Sequence, residues 1–520
     1  MTTECVRGSS TTYWELVEAA ARSRPDRVIL SDDYGRDLTV SGLRECALRT
    51  AAAFAEAGVC EGTVVSWQLP TTLETMVVMA ALARLGAVQN PILPIWRENE
   101  IRHAIGQIGT DVLIVPRTWR GFDHGDLAQA LARGRPMIPV ILDIDGPPDG
   151  PDLRLPMGDP SLLPGAPTSA DGLAWIYYSS GTTAAPKGIQ HSDASVIAGC
   201  YGVLDMLGTS SDDVNPVAFP VSHIGGAAML AAALMTGMRL VLFDVFDPVT
   251  TPLAVAAHRP TLLGSATPFF IAYLAAQERY GPEPLFPALR GCTGGGAPIT
   301  AELGRRVRRV LGVPGVANAW GLTEFPVATS PRLDDAEELL DHSVGKPVPG
   351  VRVRVVDADG RDVAAGIEGE LRLKGPQCFK GYVDASLDGD AFDVDGWYRT
   401  GDQGCIDAAG NIHVTGRIKD AIIRNAENIS AREVEEVLVM HSGIADVAVI
   451  GVPDERTGER VCAVVVPAAD ATISVADISA HCDAQGLSRY KWPERVELVE
   501  ALPRNLAGKV LKAELRRLFG

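Results

Sequence analysis

Along most of the chain, short apolar runs alternate with stretches whose apolar residues recur at helical spacing, the pattern of a layered α/β fold. Residues 64–69 read as a strand, Pro70 ends it, and the helical spacing of 73–85 is closed by Gly86, where a left-handed residue is expected. Residues 146–172 are rich in Pro, Gly and Asp and predict a surface connection. A strand over 173–178 follows and leads into a loop of small and hydroxylated residues. Past residue 420 the pattern becomes that of a separate α+β unit. There Ser430-Ala431-Arg432-Glu433 is a capping-box pattern that predicts a helix through Leu438. Residues 445–452 and 460–466 read as strands, Ser474 and Asp477 start a further helix, and 511–518 form a short terminal one.

A length of 520 residues exceeds one compact core, so two domains are expected: 1–417 and 418–520, with the boundary near Arg417–Asp420. The surplus of 65 acidic over 47 basic residues, a net charge of -18, disfavours nucleic acid and anionic lipid as partners. Nine cysteines without a CxxC pair form neither a disulfide framework nor a zinc site. No signal peptide or membrane span is expected, since Arg84 interrupts one apolar stretch and Gly237 and Arg239 another. These features point to a soluble cytoplasmic protein, with a homodimer left open.

The chemistry concentrates in Tyr178-Ser179-Ser180-Gly181-Thr182-Thr183-Ala184-Ala185-Pro186-Lys187-Gly188. Small residues bring backbone N–H groups close to an anion, hydroxyls add donors and the lysine adds charge, as a polyphosphate cradle needs. The order of glycine and lysine is not that of a Walker A loop. A plain surface turn has the same composition, so this loop alone decides nothing.

Five further motifs follow in order: Thr293-Gly294-Gly295-Gly296-Ala297-Pro298, Asn318-Ala319-Trp320-Gly321-Leu322-Thr323-Glu324, Gly396-Trp397-Tyr398-Arg399-Thr400-Gly401-Asp402, Gly416-Arg417-Ile418-Lys419-Asp420, and Leu502-Pro503-Arg504-Asn505-Leu506-Ala507-Gly508-Lys509. With them the chain resembles, over nearly its whole length, the adenylate-forming superfamily of acyl-CoA synthetases, peptide-synthetase adenylation domains and firefly-luciferase-like enzymes. The resemblance implies a large N-terminal domain of layered α/β subdomains with a small β-barrel-like subdomain, and a small mobile α+β C-terminal domain. It implies an ATP- and Mg2+-dependent ligase that activates a carboxylic acid as acyl-AMP, releases pyrophosphate and passes the acyl group to coenzyme A.

By residue, the resemblance implies that Ser179, Ser180, Gly181, Thr182, Thr183 and Lys187 hold phosphate. Gly294, Gly295, Gly296, Ala297, Asn318, Ala319, Trp320 and Gly321 would surround the purine, with Trp320 standing where most relatives have tyrosine. Asp402 would accept from the ribose hydroxyls, with Arg417 nearby. Glu324 would hold the metal, Thr323 would contact phosphate and Lys509 would act in adenylation. Lys419 matches the hinge, and His223 matches a position beside the acyl pocket, which the small residues at 225–228 either widen or merely pack. Ala184 and Ala426 stand where relatives carry glycine, the second in the pantetheine tunnel. Residues 90–95 and 422–430 are most similar to ligases for medium-chain or alicyclic acids, a range that includes steroid side-chain acids. The alternatives are an acyl-AMP ligase serving a carrier protein and an inactive nucleotide-binding protein.

Overall fold

The computed structural model describes residues 11–179, 186–296, 299–424, 427–454, 456–469, 471–505 and 508–520. Its largest sheet has seven strands, with Val64–Trp67 flanked in parallel by Val88–Pro91 and Val112–Pro116, and Trp175–Ser179 next to Val88–Pro91. A second sheet pairs Val28–Asp32 with Arg239–Leu242 in parallel and with Asp37–Thr39 in antiparallel fashion. The helix Leu73–Leu85 packs against both sheets and is buried along all 13 residues, which explains why it is apolar nearly all round. It ends on Gly86 at φ +69°, as the sequence predicts. Its one buried acid, Glu74, is matched by Arg36 at 2.8 Å, which also bonds Asp32 at 2.7 Å. A buried carboxylate persists only with such a partner.

A short parallel sheet, Leu262–Leu263, Gly291–Gly294 and Val316–Asn318, carries two of the motifs. A four-stranded antiparallel sheet, Arg352–Val356, Gly369–Lys374, Tyr398–Ile406 and Ile412–Arg417, carries two more and has its own apolar core. At Arg417 that sheet ends; a single turn, Ile418–Asp420, leads to Ile422–Arg424, the first strand of a five-stranded sheet.

In this last sheet the long hairpin Ile444–Asp454 and Gly458–Pro467 sorts its side chains with period two. Val447 and Val449 face the helices Ala431–Leu438 and Val475–Ala484, while Ala448, Ile450 and Val452 face the terminal helix Lys512–Phe519. Each helix expected from sequence is present. At Ser430 only half of the expected capping box forms, because the Glu433 carboxylate turns away to Lys491 at 2.6 Å. The turn at the boundary is tied to the terminal helix through Asp420 and Arg516, 2.9 Å apart. Among the described residues, no helix is long and apolar enough to cross a membrane.

Candidate active site

Ser179 lies opposite Lys187 in an antiparallel pair, so the expected phosphate loop is the connection of a hairpin. Ser180, Gly181, Thr182, Thr183 and Ala184 fall outside the described residues, as do Ala297 and Ala426. Both ends of the hairpin loop are held: Tyr178 Oη donates to Gln107 Oε1 at 2.8 Å, and His103 Nε2 donates to the Pro186 carbonyl at 3.1 Å. The Lys187 ammonium sits 5.2 Å from the centre of the Tyr382 ring.

The Tyr382 hydroxyl donates to Glu324 Oε1 at 3.0 Å, while the Glu324 carbonyl accepts from Phe379 N–H at 2.9 Å. Next to it, His191 Nε2–H donates to the Thr323 carbonyl at 2.8 Å, and Nδ1 lies 2.9 Å from Ser195 Oγ. Burial pushes the His191 pKa down to about 4, so the ring is neutral and fixed in one tautomer. Among the described residues no cluster of three or more His, Cys, Asp or Glu is built to hold a metal ion. One carboxylate at the edge of a phosphate loop fits Mg2+, which keeps several waters and is held by one or two protein carboxylates together with substrate phosphates.

On the nucleoside side, Gly294 pairs with Asn318 across parallel strands, and a Cβ at Gly294 would lie 2.7 Å from Asn318 Oδ1. That oxygen is shielded from solvent and has no partner among the described residues, an acceptor suited to an amino group. Ala319 N–H donates to the Gly294 carbonyl and Gly295 N–H to that of Ser265, while Gly296 adopts φ +76°. Trp320 does more than offer a stacking face: its Nε1–H donates to Asp402 Oδ2 at 2.8 Å. Arg417 Nε meets the other oxygen, Oδ1, also at 2.8 Å. A carboxylate offers about four acceptor sites, so two adjacent ones remain, the number a ribose diol requires.

The small C-terminal unit brings its lysine to this place. Lys509 is held in a turn by Asn505, whose Oδ1 accepts from Lys509 N–H at 2.9 Å. The neighbouring Gly508, at φ +77°, abuts Pro268 of the large domain so closely that a Cβ would lie 2.8 Å from Pro268 Cδ. Burial, and then the charge of Arg417, pushes the Lys509 pKa down to about 8. Burial and Arg417 also lower that of Lys419, with Lys187 contributing. Lys187, Arg417, Lys419 and Lys509 therefore lie within one electrostatic neighbourhood.

His223 precedes the helix Ile224–Thr236 and lines a small cleft with Trp96, Tyr177, Tyr178, Ser222 and Thr323 among its neighbours. Burial pushes its pKa down to about 4 as well.

The family model described as "AMP-binding enzyme" matches residues 17–383, and that described as "AMP-binding enzyme C-terminal domain" matches 433–509. The chain belongs to the AMP-binding enzyme family. It is 32% identical over 512 residues to the medium-chain fatty-acid–CoA ligase of Escherichia coli (strain K12), covering 97% of this chain and 89% of that one. It is 33% identical over 528 residues to the salicyl-AMP ligase / salicyl-S-ArCP synthetase of Mycobacterium tuberculosis, covering 98% and 92%. Among solved structures, ATP-bound MatB from Rhodopseudomonas palustris superposes with a TM-score of 0.86 at 28% identity, covering 98% of this chain and 99% of that one. This protein is an AMP-forming acid–thiol ligase that uses ATP.

Within this AMP-binding enzyme, Gly226, Ala227 and Ala228 are packed into the core, while Gly225 is half-buried beside Phe219. A Cβ at Gly226 would lie 2.1 Å from the Val221 carbonyl oxygen, and Ala227 and Ala228 are buried in the core, with Tyr13 Oη bonded to the Ala227 carbonyl at 2.7 Å. Gly226→Ala is accordingly expected to cost about 1–3 kcal/mol of stability, seen as a lower urea midpoint at unchanged slope. Three neighbours of the site went unforeseen: His191, Tyr382 and Tyr177. Strand alternation turns them inward, but nothing local in the sequence names their partners.

Proposed function

We propose that this enzyme is a carboxylate–CoA ligase in which residues 1–417 bind ATP and the acid, and residues 418–520 supply the hinge and the catalytic lysine. The observation that carries the reading is the convergence of Lys187, Arg417, Lys419 and Lys509 on the Asp402 side of the site, with Arg417 paired to Asp402. A carboxylate and an α-phosphate repel by about 4 kcal/mol at 4 Å in a dielectric near 20, so their reaction needs such charge in place beforehand. In this reading the remaining Asp402 acceptors take the ribose hydroxyls, and the Asn318 oxygen takes the adenine amino group. Lys187 and the hairpin loop hold the phosphates, with Thr323 positioned by His191. Glu324, oriented by Tyr382, holds Mg2+, which neutralises phosphate charge when bound. Lys509 aligns the acid carboxylate with the α-phosphate, so the carboxylate oxygen displaces pyrophosphate and acyl-AMP forms.

For the acid itself, the wall beside His223 is largely apolar and aromatic, with Trp96 and Tyr178 meeting edge to face at 6.2 Å. This supports an apolar acid within the range that runs from medium-chain and alicyclic to steroid-derived acids. Thioester transfer to a carrier protein, as named for the mycobacterial relative, is the second reading. ATP–pyrophosphate exchange across a panel of acids, with and without CoA, tests both. AMP and pyrophosphate are the expected products, lost on addition of EDTA. Glu324→Gln should raise the Mg2+ requirement roughly tenfold or more. ADP as product, or indifference to EDTA, would show the reading to be wrong.

A further inference from the structure

Asp402 is held by side chains from two different sheets. Trp320, in the strand Trp320–Leu322, donates its Nε1–H to Oδ2, and Arg417, the cross-strand neighbour of Asp402, takes Oδ1, both at 2.8 Å. Trp320 is 8% and Asp402 4% exposed, so the bond between indole and carboxylate lies beneath the surface. The indole has no room to drift. It packs in the apolar core of the four-stranded sheet, and its residue pairs with Thr329 in the next strand. A Cβ at the following residue, Gly321, would lie 2.5 Å from the Val327 nitrogen. The Asp402 backbone is fixed as well: its N–H donates to Thr400 Oγ1 at 2.9 Å, and that hydroxyl donates to the Leu371 carbonyl at 2.6 Å.

A carboxylate pinned at one oxygen only would have other choices. Arg417 presents further N–H groups, and Lys419 and Lys509 lie close enough to feel the charge of Asp402. Without the indole, Oδ2 could turn to the guanidinium, whose parallel N–H groups favour a bidentate pair. Such a pair would consume acceptors that otherwise face the ligand. The indole N–H prevents this, because it only donates and, unlike a hydroxyl, cannot rotate towards another partner. Trp320 therefore has two separable effects. Its face meets the base, while its edge acts through Asp402 on the sugar.

Resting on the reading that Asp402 takes the ribose hydroxyls, we propose that Trp320 is a positioning residue for Asp402 and through it sets the preference of this enzyme for ribose over deoxyribose nucleotides. Loss of stacking area weakens every adenine nucleotide alike. Loss of the donor edge costs most where the sugar carries both hydroxyls. The ratio of deoxy to ribo dissociation constants therefore isolates the edge from the face.

The test is calorimetry of the full-length protein with ATP, 2′-deoxy-ATP and 3′-deoxy-ATP in Mg2+, with no acid present. In the unmutated enzyme at least one deoxy nucleotide should bind about tenfold or more weakly than ATP, because the polar groups built for the missing hydroxyl are left unpaired. Trp320→Phe keeps an aromatic face, removes the donor and should cut that ratio about threefold or more. Phenylalanine also leaves space, so a second variant carries β-(3-benzothienyl)alanine at 320, an isostere with sulfur in place of N–H. It should cut the ratio by a similar factor. Asp402→Ala is the reference and should bring the ratio close to one. A ratio unmoved by the isostere but lowered by Asp402→Ala would overturn the proposal and leave the ribose reading standing. A ratio near one in the unmutated enzyme, or one that Asp402→Ala does not lower, would overturn the ribose reading and this proposal with it.

Discussion

Lys509→Ala is expected to slow acyl-AMP formation by about 10²–10³, the usual loss when one preorganised charge is removed from such a site. The same variant, given synthetic acyl-AMP and CoA, should form thioester at a rate near that of the unmutated enzyme. On the proposed reading the two outcomes differ because Lys509 reaches the Asp402–Arg417 side with Gly508 seated against Pro268. Rotation of the small domain would take it away. Its lowered pKa adds a second readout. Lysine is cationic below its pKa, so kcat/KM for adenylation should fall as pH rises through about 8. In Lys509→Arg that alkaline limb should vanish, because a guanidinium stays charged. Equal damage to both half-reactions, measured by pyrophosphate release and by thioester formation, would show that the lysine or the rotation is misplaced.

Lys419→Pro should give the opposite profile: adenylation largely kept and thioester formation reduced by about 10² or more, the cost of an ångström-scale misplacement. Proline fixes φ near −65°, and residue 419 sits in the single turn that joins the last strand of the large domain, Ile412–Arg417, to the first of the small sheet. Because the Lys419 side chain also lies near Arg417 and Lys187, Lys419→Ala is the needed control. It removes the charge and keeps the backbone free. If alanine and proline behave alike in stopped thioester assays, the side chain and not the hinge is responsible.

The elements were legible where one local signal sufficed. Gly86 ends its helix in the left-handed region as expected, and the alternation in 445–452 separates the two cores of the small sheet. Motif residues such as Asp402, Trp320 and Arg417 do meet, although 82 positions separate the first two. What stayed hidden was pairing across such distances. That Glu433 prefers Lys491 to its own cap depends on a residue 58 positions away. That Gly226 packs against Val221 depends on backbone geometry that no spacing rule contains. The polar lining around His223 was equally unreadable, because Tyr177 and Ser222 come from separate segments that only the assembled fold brings together.

On the proposed reading, the cluster of four cations times the reaction. Burial, and then neighbouring positive charge, lowers the proton affinity of both Lys419 and Lys509, with Asp402 and Asp420 pulling the other way. A triphosphate among these cations would add attraction and hold the small domain seated. Pyrophosphate, on leaving, would carry most of that added negative charge away and weaken the hold. Opening would then be favoured at the moment acyl-AMP is complete, with no separate signal needed to report that the first step is over.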